Sequence, residues 1–265
     1  MTYVPGDLAG MLAAIEATAP RLSQLLRGVK TPYTNAIGVW DVGETAAHVA
    51  HCYEGFLAMA QGTYGVLPGL DEIGDANAAY LVENRERDPD VLADQVEVGA
   101  KEFVGYMGSV VGDPLVRWFG DTQVPRSAMA GVLLGEVLVH GFDIARAEGL
   151  PWTIDPSYAA LSIEGSLPVL PLFVDQEEAA DVEAGYDLRL RGDGRSFWTF
   201  QEGRLTIEPP SAARVDCHLS VEPVAFMLAS YKRVAPWGPA LAGKLLVWGR
   251  KPWLGVRLPT LLKAA

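Results

Sequence analysis

The distribution of apolar positions divides the chain into a helical first part and a strand-bearing second part. Over Leu8 to Leu26, the residues Leu8, Met11, Leu12, Ile15, Leu22, Leu25 and Leu26 recur at helical spacing; Pro20 is expected to break or kink the run and Gly28 to end it. After a loop from Pro32 to Val39, Asp41-Val42-Gly43-Glu44 has the form of a capping box and opens a helix to about Gln61. Asp71 to Arg87 is a further helical stretch, interrupted near Gly74. Asp88-Pro89 places a proline at the first helical position and predicts a helix to about Val111. A long apolar segment from Ser127 to Glu148, capped by Ser127 and closed by Gly149, completes four principal helices before residue 150. No strand pattern of comparable strength occurs there, so a helical bundle with inward-facing polar groups follows.

The texture changes after Gly149. Pro156 to Val174 predicts a helix broken near Pro168 and Pro171, and Asp175 to Gly185 an acidic linker. Alternation then takes over in Tyr186–Leu190, Ser196–Phe200 and Arg204–Ile207, punctuated by Gly192, Gly194 and Gly203, which predicts a meander of short antiparallel strands. A fourth strand over Val215 to Val221, a short helix from Pro223 to Tyr231, a last strand from Lys244 to Trp248 and a C-terminal helical segment complete an α+β unit. The fold class is therefore α plus α+β, divided into 1–150 and 151–265.

A chain of 265 residues, 49% hydrophobic and 20% charged, is globular and long enough for a sizeable core. The most apolar stretches, Met129 to Val139 and Leu167 to Val174, are short or carry Glu136 or prolines, so no membrane span is expected. Without a basic N-terminal patch followed by an apolar run, the chain is expected to be unexported. The two cysteines, Cys52 and Cys217, make no disulfide framework and fit a reducing cytoplasm. A net charge of −12 argues against generic binding to nucleic acid or anionic membranes. That charge is uneven: residues 1–150 carry a balance of −11 and residues 151–265 only −1. From Pro223 onward there are seven cations and no carboxylate, which fits a solvated face against an acidic neighbour or a positive wall for an anionic substrate.

Candidate chemistry lies in two of the predicted helices, which hold three of the four histidines. Glu136 and His140 are four apart, so they point the same way from one helix inside an apolar segment. A carboxylate and an imidazole buried there must find partners. They are satisfied either as a hydrogen-bonded core histidine with a partly exposed carboxylate, or as ligands of a divalent metal. Joining His48 to the pair gives a His/Glu/His set with an open fourth position, the pattern of a catalytic zinc. His51 and Cys52, three and four residues after His48, can share its face and are alternative ligands.

Taken together, Trp40-x7-His48-Val49-Ala50 and Glu136-x3-His140-Gly141-x-Asp143-x-Ala145 resemble the DinB-like metal-binding four-helix bundles, specifically the N-terminal domain of the mycothiol-dependent maleylpyruvate isomerase family. Gly194-x3-Trp198-x4-Gly203 and Gly243-x5-Gly249 resemble the sterol-carrier-protein-2-like (SCP2-like) antiparallel sheet domain with helices, which stands second in the same actinobacterial proteins. The resemblance implies a zinc or similar divalent ion on His48, Glu136 and His140, favours His48 over His51, and implies mycothiol as thiol cosubstrate. It further implies thiol addition to the cis double bond of maleylpyruvate, rotation and thiolate expulsion, or S-transfer in other members. Asp143 is either an acceptor that orients His140 or a surface carboxylate paired with Arg146. For a small, anionic electrophile, Arg233 and Arg250 are the candidate carboxylate partners. A carrier of an apolar ligand, with Trp198, Phe200, Phe226, Met227 and Trp248 lining a tunnel around a structural or vestigial metal, is the alternative; strand aromatics of this kind are more often plain core.

Overall fold

The computed structural model describes residues 6–192, 194–211 and 214–263, and the chain forms two compact units, one from Asp7–Ile154 and one from Asp155 onward. In the first unit α1 (Leu8–Arg27), α2 (Val42–Gln61), α4 (Pro89–Ser109) and α5 (Arg126–Glu148) form a four-helix bundle in which α1 and α2 each pack on both α4 and α5. The shorter α3 (Ile73–Glu83) lies against α2 and buries only Leu81. The apolar stripe of α1 is buried as its spacing requires, from Met11 and Ile15 to Leu22 and Leu26. The helix nevertheless runs unbroken through Pro20, which lies on the exposed side, where water can meet the carbonyl left without its amide partner.

Other boundaries differ from the sequence expectation. Ser127 does not cap α5: its amide and hydroxyl both donate to Asp113, and the helix begins one residue earlier at Arg126, after Pro125. Two hairpins also stand where no strand signal was legible. One pairs β1 (Asn35–Ile37) with β2 (Trp40–Asp41). The other pairs β3 (Leu115–Trp118) with β4 (Thr122–Pro125), turning at Gly120 with φ 65°.

Helix α5 is the centre of the bundle and is buried on nearly all faces, which is why its sequence reads as a continuous apolar run. At 23 residues it is long and apolar enough to cross a bilayer, but 83% of its most apolar window is buried within the protein, as in a core helix.

In the second unit a five-stranded sheet has the order β7-β6-β5-β8-β9, with β5 at Ala184–Leu190, β6 at Arg195–Gln201, β7 at Arg204–Glu208, β8 at Cys217–Val221 and β9 at Leu245–Gly249. The first three strands are the expected antiparallel meander. The fourth enters parallel to β5, with Tyr186 opposite Cys217 and Leu190 opposite Val221, so the sheet is mixed. One face, including Tyr186, Leu188, Trp198, Phe200 and Leu219, forms the core. Helices α6 (Pro156–Ser166) and α8 (Pro223–Ser230) pack on each other. The acidic stretch after Asp175 is not only a linker: Asp175 caps a short helix, α7 (Gln176–Ala179). Trp198, Phe200 and Met227 are packed interior, and Trp248 is exposed on an edge strand.

On the opposite face of the sheet, the fully buried Asp187 accepts hydrogen bonds from Arg189, Arg195 and His218 across three adjacent strands. Burial acts to raise its pKa, but the two guanidiniums and the imidazole outweigh it and hold the carboxyl well below the usual range. The folded state therefore favours the carboxylate. Its stabilisation is complete above the unfolded value near 3.9 and fades as pH falls toward the folded value. Asp187→Asn is expected to lower stability at neutral pH and to flatten the loss of stability on acidification, measured by urea unfolding from neutral to acidic pH.

A second stability prediction concerns the bundle. Gly141 lies on α5 against the indole of Trp152, whose Nε1 donates to the Leu138 carbonyl at 3.0 Å. A β-carbon at 141 would overlap that ring, so Gly141→Ala is expected to cost about 1–3 kcal/mol in denaturant unfolding.

Candidate metal centre

The turn from β2 into α2 fixes the first donor. The Asp41 carboxylate accepts from the Glu44 amide at 2.7 Å, and the Glu44 carboxylate accepts from the Asp41 amide at 3.0 Å, a complete capping box. His48 follows on the buried side of α2 and faces α5, where Glu136 and His140 stand one turn apart. Glu136 Oε2 lies 3.3 Å from His48 Nε2 and 3.2 Å from His140 Nε2. One donor atom from each of the three residues falls within 4.8 Å of the others.

Two features fit this set to a divalent ion. Four donors placed tetrahedrally about zinc at about 2.05 Å have edges of about 3.3 Å; the two separations from Glu136 are compatible with such an edge, as they are with hydrogen bonds. The other nitrogen of His140, Nδ1, lies 3.2 Å from Asp143 Oδ2, and Asp143 is fully buried. With its proton on Nδ1 and donated to Asp143, the ring turns a lone pair on Nε2 toward Glu136, the tautomer a metal requires. Arg146 lies 3.7 Å from the other Asp143 oxygen and donates to the Ala36 carbonyl, so Asp143 serves both partners weighed for it.

The electrostatics follow from crowding three ionisable groups. Burial acts to raise the Glu136 pKa, yet hydrogen bonds from His140 and His48 prevail and lower it. Burial acts to lower His140, but Asp143 and Glu136 raise it. A proton on Nε2 thus competes with a metal until pH exceeds that raised value.

The alternative ligands stand outside that group of three. His51 stacks on Tyr80 with ring centroids 3.7 Å apart, and burial followed by the charge of His48 pushes its pKa down to about 4. Cys52 is buried beside the centre with Sγ 3.4 Å from His48 Nε2, but it does not join the convergent group; burial and the Glu136 charge raise its thiol. Trp40, which the motif contained without a stated role, forms a wall: its ring lies 5.0 Å from His48 and 6.4 Å from His140. Its signal was its position directly before the capping box. Arg233 and Arg250 belong to the α+β unit. Arg233 donates to the Tyr231 carbonyl at 2.8 Å, and Arg250 lies 3.3 Å from the Asp216 carboxylate.

A bundle that gathers two imidazoles and a carboxylate from its second and fourth helices defines a candidate metal-binding helical protein. Residues 33–145 match the family model of the mycothiol maleylpyruvate isomerase N-terminal domain. Over a wider span, the chain is similar in fold to the crystal structure of the mycothiol-dependent maleylpyruvate isomerase, with a TM-score of 0.53, 16% identity, and 89% of this chain and 93% of that chain covered. A histidine-to-alanine mutant of that isomerase matches at a TM-score of 0.52 with the same identity and coverage. No curated protein sequence matches at a significant level.

Substitution of His48, Glu136 or His140 by alanine is expected to reduce bound metal from about one per chain to near zero after purification without chelator, measured by elemental analysis. Asp143→Asn is expected to retain the site but weaken metal affinity by about 10–100-fold, measured by competition with a chromophoric chelator. Apparent metal affinity of the wild type is expected to weaken on acidification beginning above pH 6.5, the ordinary histidine value, because a proton on the raised His140 competes with the metal, measured by chelator competition across pH.

Proposed function

We propose that this protein is a divalent-metal-dependent enzyme that uses a low-molecular-weight thiol, mycothiol, to isomerise or S-transfer onto a small electrophile. The observation that carries the reading is the convergence of one donor atom each from His48, Glu136 and His140 within 4.8 Å of one another, a three-ligand set that a non-protein ligand would complete. The N-terminal domain family, whose name includes mycothiol, supplies the thiol. Zinc suits the donor set, and nickel and iron also accept imidazole with carboxylate.

A divalent cation at this centre would favour thiolate over thiol, and thiolate is the nucleophile. The protein's own residues set the conditions for that. Asp143 fixes the ring and tautomer of His140, the capping box fixes the start of α2 and hence the height of His48, and Glu136 balances part of the positive charge. Trp40 walls the His48 side and limits water there. Isomerisation then consists of addition of the thiolate to a conjugated double bond to give an enolate, rotation about the former double bond and expulsion of the same thiolate; in S-transfer the enolate instead takes a proton from water at its α-carbon and the thioether adduct is released. Arg233 and Arg250 are assigned to the substrate carboxylate, and the site of action is the reducing cytoplasm, where Cys52 and Cys217 stay as free thiols.

The test is thiol consumption and cis–trans conversion with a panel of conjugated carboxylate electrophiles, with mycothiol compared against other small thiols. Metal-loaded wild type is expected to turn over only with thiol, and His140→Ala and Glu136→Ala to lose at least about 10²-fold in kcat/KM. Arg250→Ala is expected to raise KM for anionic electrophiles by about tenfold while metal content stays unchanged. Turnover unchanged in the metal-free variants would end the enzymatic reading and leave a binding protein.

A further inference from the structure

The C-terminal rim of the α+β unit departs from the rest of the surface. Of fifteen large hydrophobic side chains exposed among the described residues, seven lie between Trp237 and Val256. They surround the outermost strand, β9, whose outer edge has no partner strand among the described residues. Helix α9 (Trp237–Leu241) precedes that strand and packs against it, and α10 (Trp253–Arg257) follows it, with Gly255 close against the Val247 side chain. Leu241, Leu246, Trp248 and Val256 are exposed on this rim, as are the large indoles of Trp237 and Trp253, at 64% and 63%. Each of those two indoles is the first residue of its short helix and follows a proline, Pro236 or Pro252.

The charge of the rim is positive. Lys244 and Arg250 flank β9, Lys251 follows, and no carboxylate occurs from Pro223 onward. The acids that meet these elements from neighbouring segments are neutralised or outnumbered. Asp216 faces Arg214, Arg250 and Lys251 together, Asp181 pairs with Arg257 at 2.7 Å, and Glu222 caps α8. Asp187 lies beneath Arg189, Arg195 and His218. The net charge of −12 does not contradict this: screening over about 8 Å makes the local balance decisive for a surface contact.

We propose that this rim is a peripheral docking surface for anionic lipid bilayers. Exposed indoles with cations set beside them match the interfacial zone, where indole rings sit at headgroup level and Lys or Arg meets phosphate. Self-association through the free edge is disfavoured by the same residues: antiparallel pairing of two β9 strands about Val247 sets Lys244 of each copy opposite Arg250 of the other.

The test is sedimentation of the full-length protein with vesicles of phosphatidylcholine alone and of phosphatidylcholine mixed with phosphatidylglycerol. Binding to the anionic vesicles, a blue shift of tryptophan emission and release by salt are expected. The Trp237→Ser/Trp253→Ser double variant is expected to weaken partitioning by about tenfold or more, and Lys244→Glu by roughly fivefold, with circular dichroism and metal content unchanged. Failure of the folded wild type to bind anionic vesicles at low salt overturns the proposal, and so does equal binding to neutral vesicles. A wild-type dimer in light scattering that the double variant converts to monomer, without vesicle binding, assigns the rim to a second copy and also overturns it.

Discussion

A single carboxylate oxygen, Glu136 Oε2, meets two imidazole nitrogens in the interior of a helical bundle, and the first unit is arranged so that this meeting is tolerable. Two rings and a carboxylate removed from water would each cost several kcal/mol if left without partners. They are tolerated together because each supplies what another lacks, and because the Asp143 carboxylate lies within hydrogen-bond reach of His140 Nδ1 as an acceptor. The result is a compact donor set of two imidazoles and a carboxylate that could hold a divalent cation.

The bundle supplies that set through ordinary helix geometry. The i, i+4 relation on α5 stacks Glu136 under His140, and the α2–α5 contact brings His48 opposite both. Gly141 lets the Trp152 indole approach α5 closely one residue beyond His140, so the backbone next to that histidine is held by a close indole contact. Trp40 reaches the two histidines from the short β1–β2 hairpin, which ends in the capping box that starts α2. Chemistry and architecture are thus linked: the same residues that start and pack the helices set where the donors stand.

The α+β unit follows a different logic. Its main apolar cluster lies on one face of the sheet, and the buried charge of Asp187 on the other. Asp187 ties three strands together through two guanidiniums and an imidazole. Neighbouring residues in sequence gave no hint of this, because Arg195 and His218 reach Asp187 only after strands eight and thirty-one residues away come alongside. Bulk charge was similarly uninformative about the rim, since an average over the chain hides a segment without any carboxylate.

Local rules read from the residues determined the helices, their apolar faces, the Asp41 and Asp88 caps, most of the strands, and the likeness of the two short motifs to a metal-binding family. These features depend on neighbours a few residues apart, so the order of residues carries them. Only the tertiary structure decided the rest. It placed Pro20 on a wet side where a helix survives it, and gave the Ser127 hydroxyl to Asp113 in place of a cap. It ran β8 parallel to β5, and it turned His51 onto Tyr80 while His48 faced Glu136. Each of these outcomes is set by which distant surface a side chain meets, and helical or strand periodicity does not encode that partner.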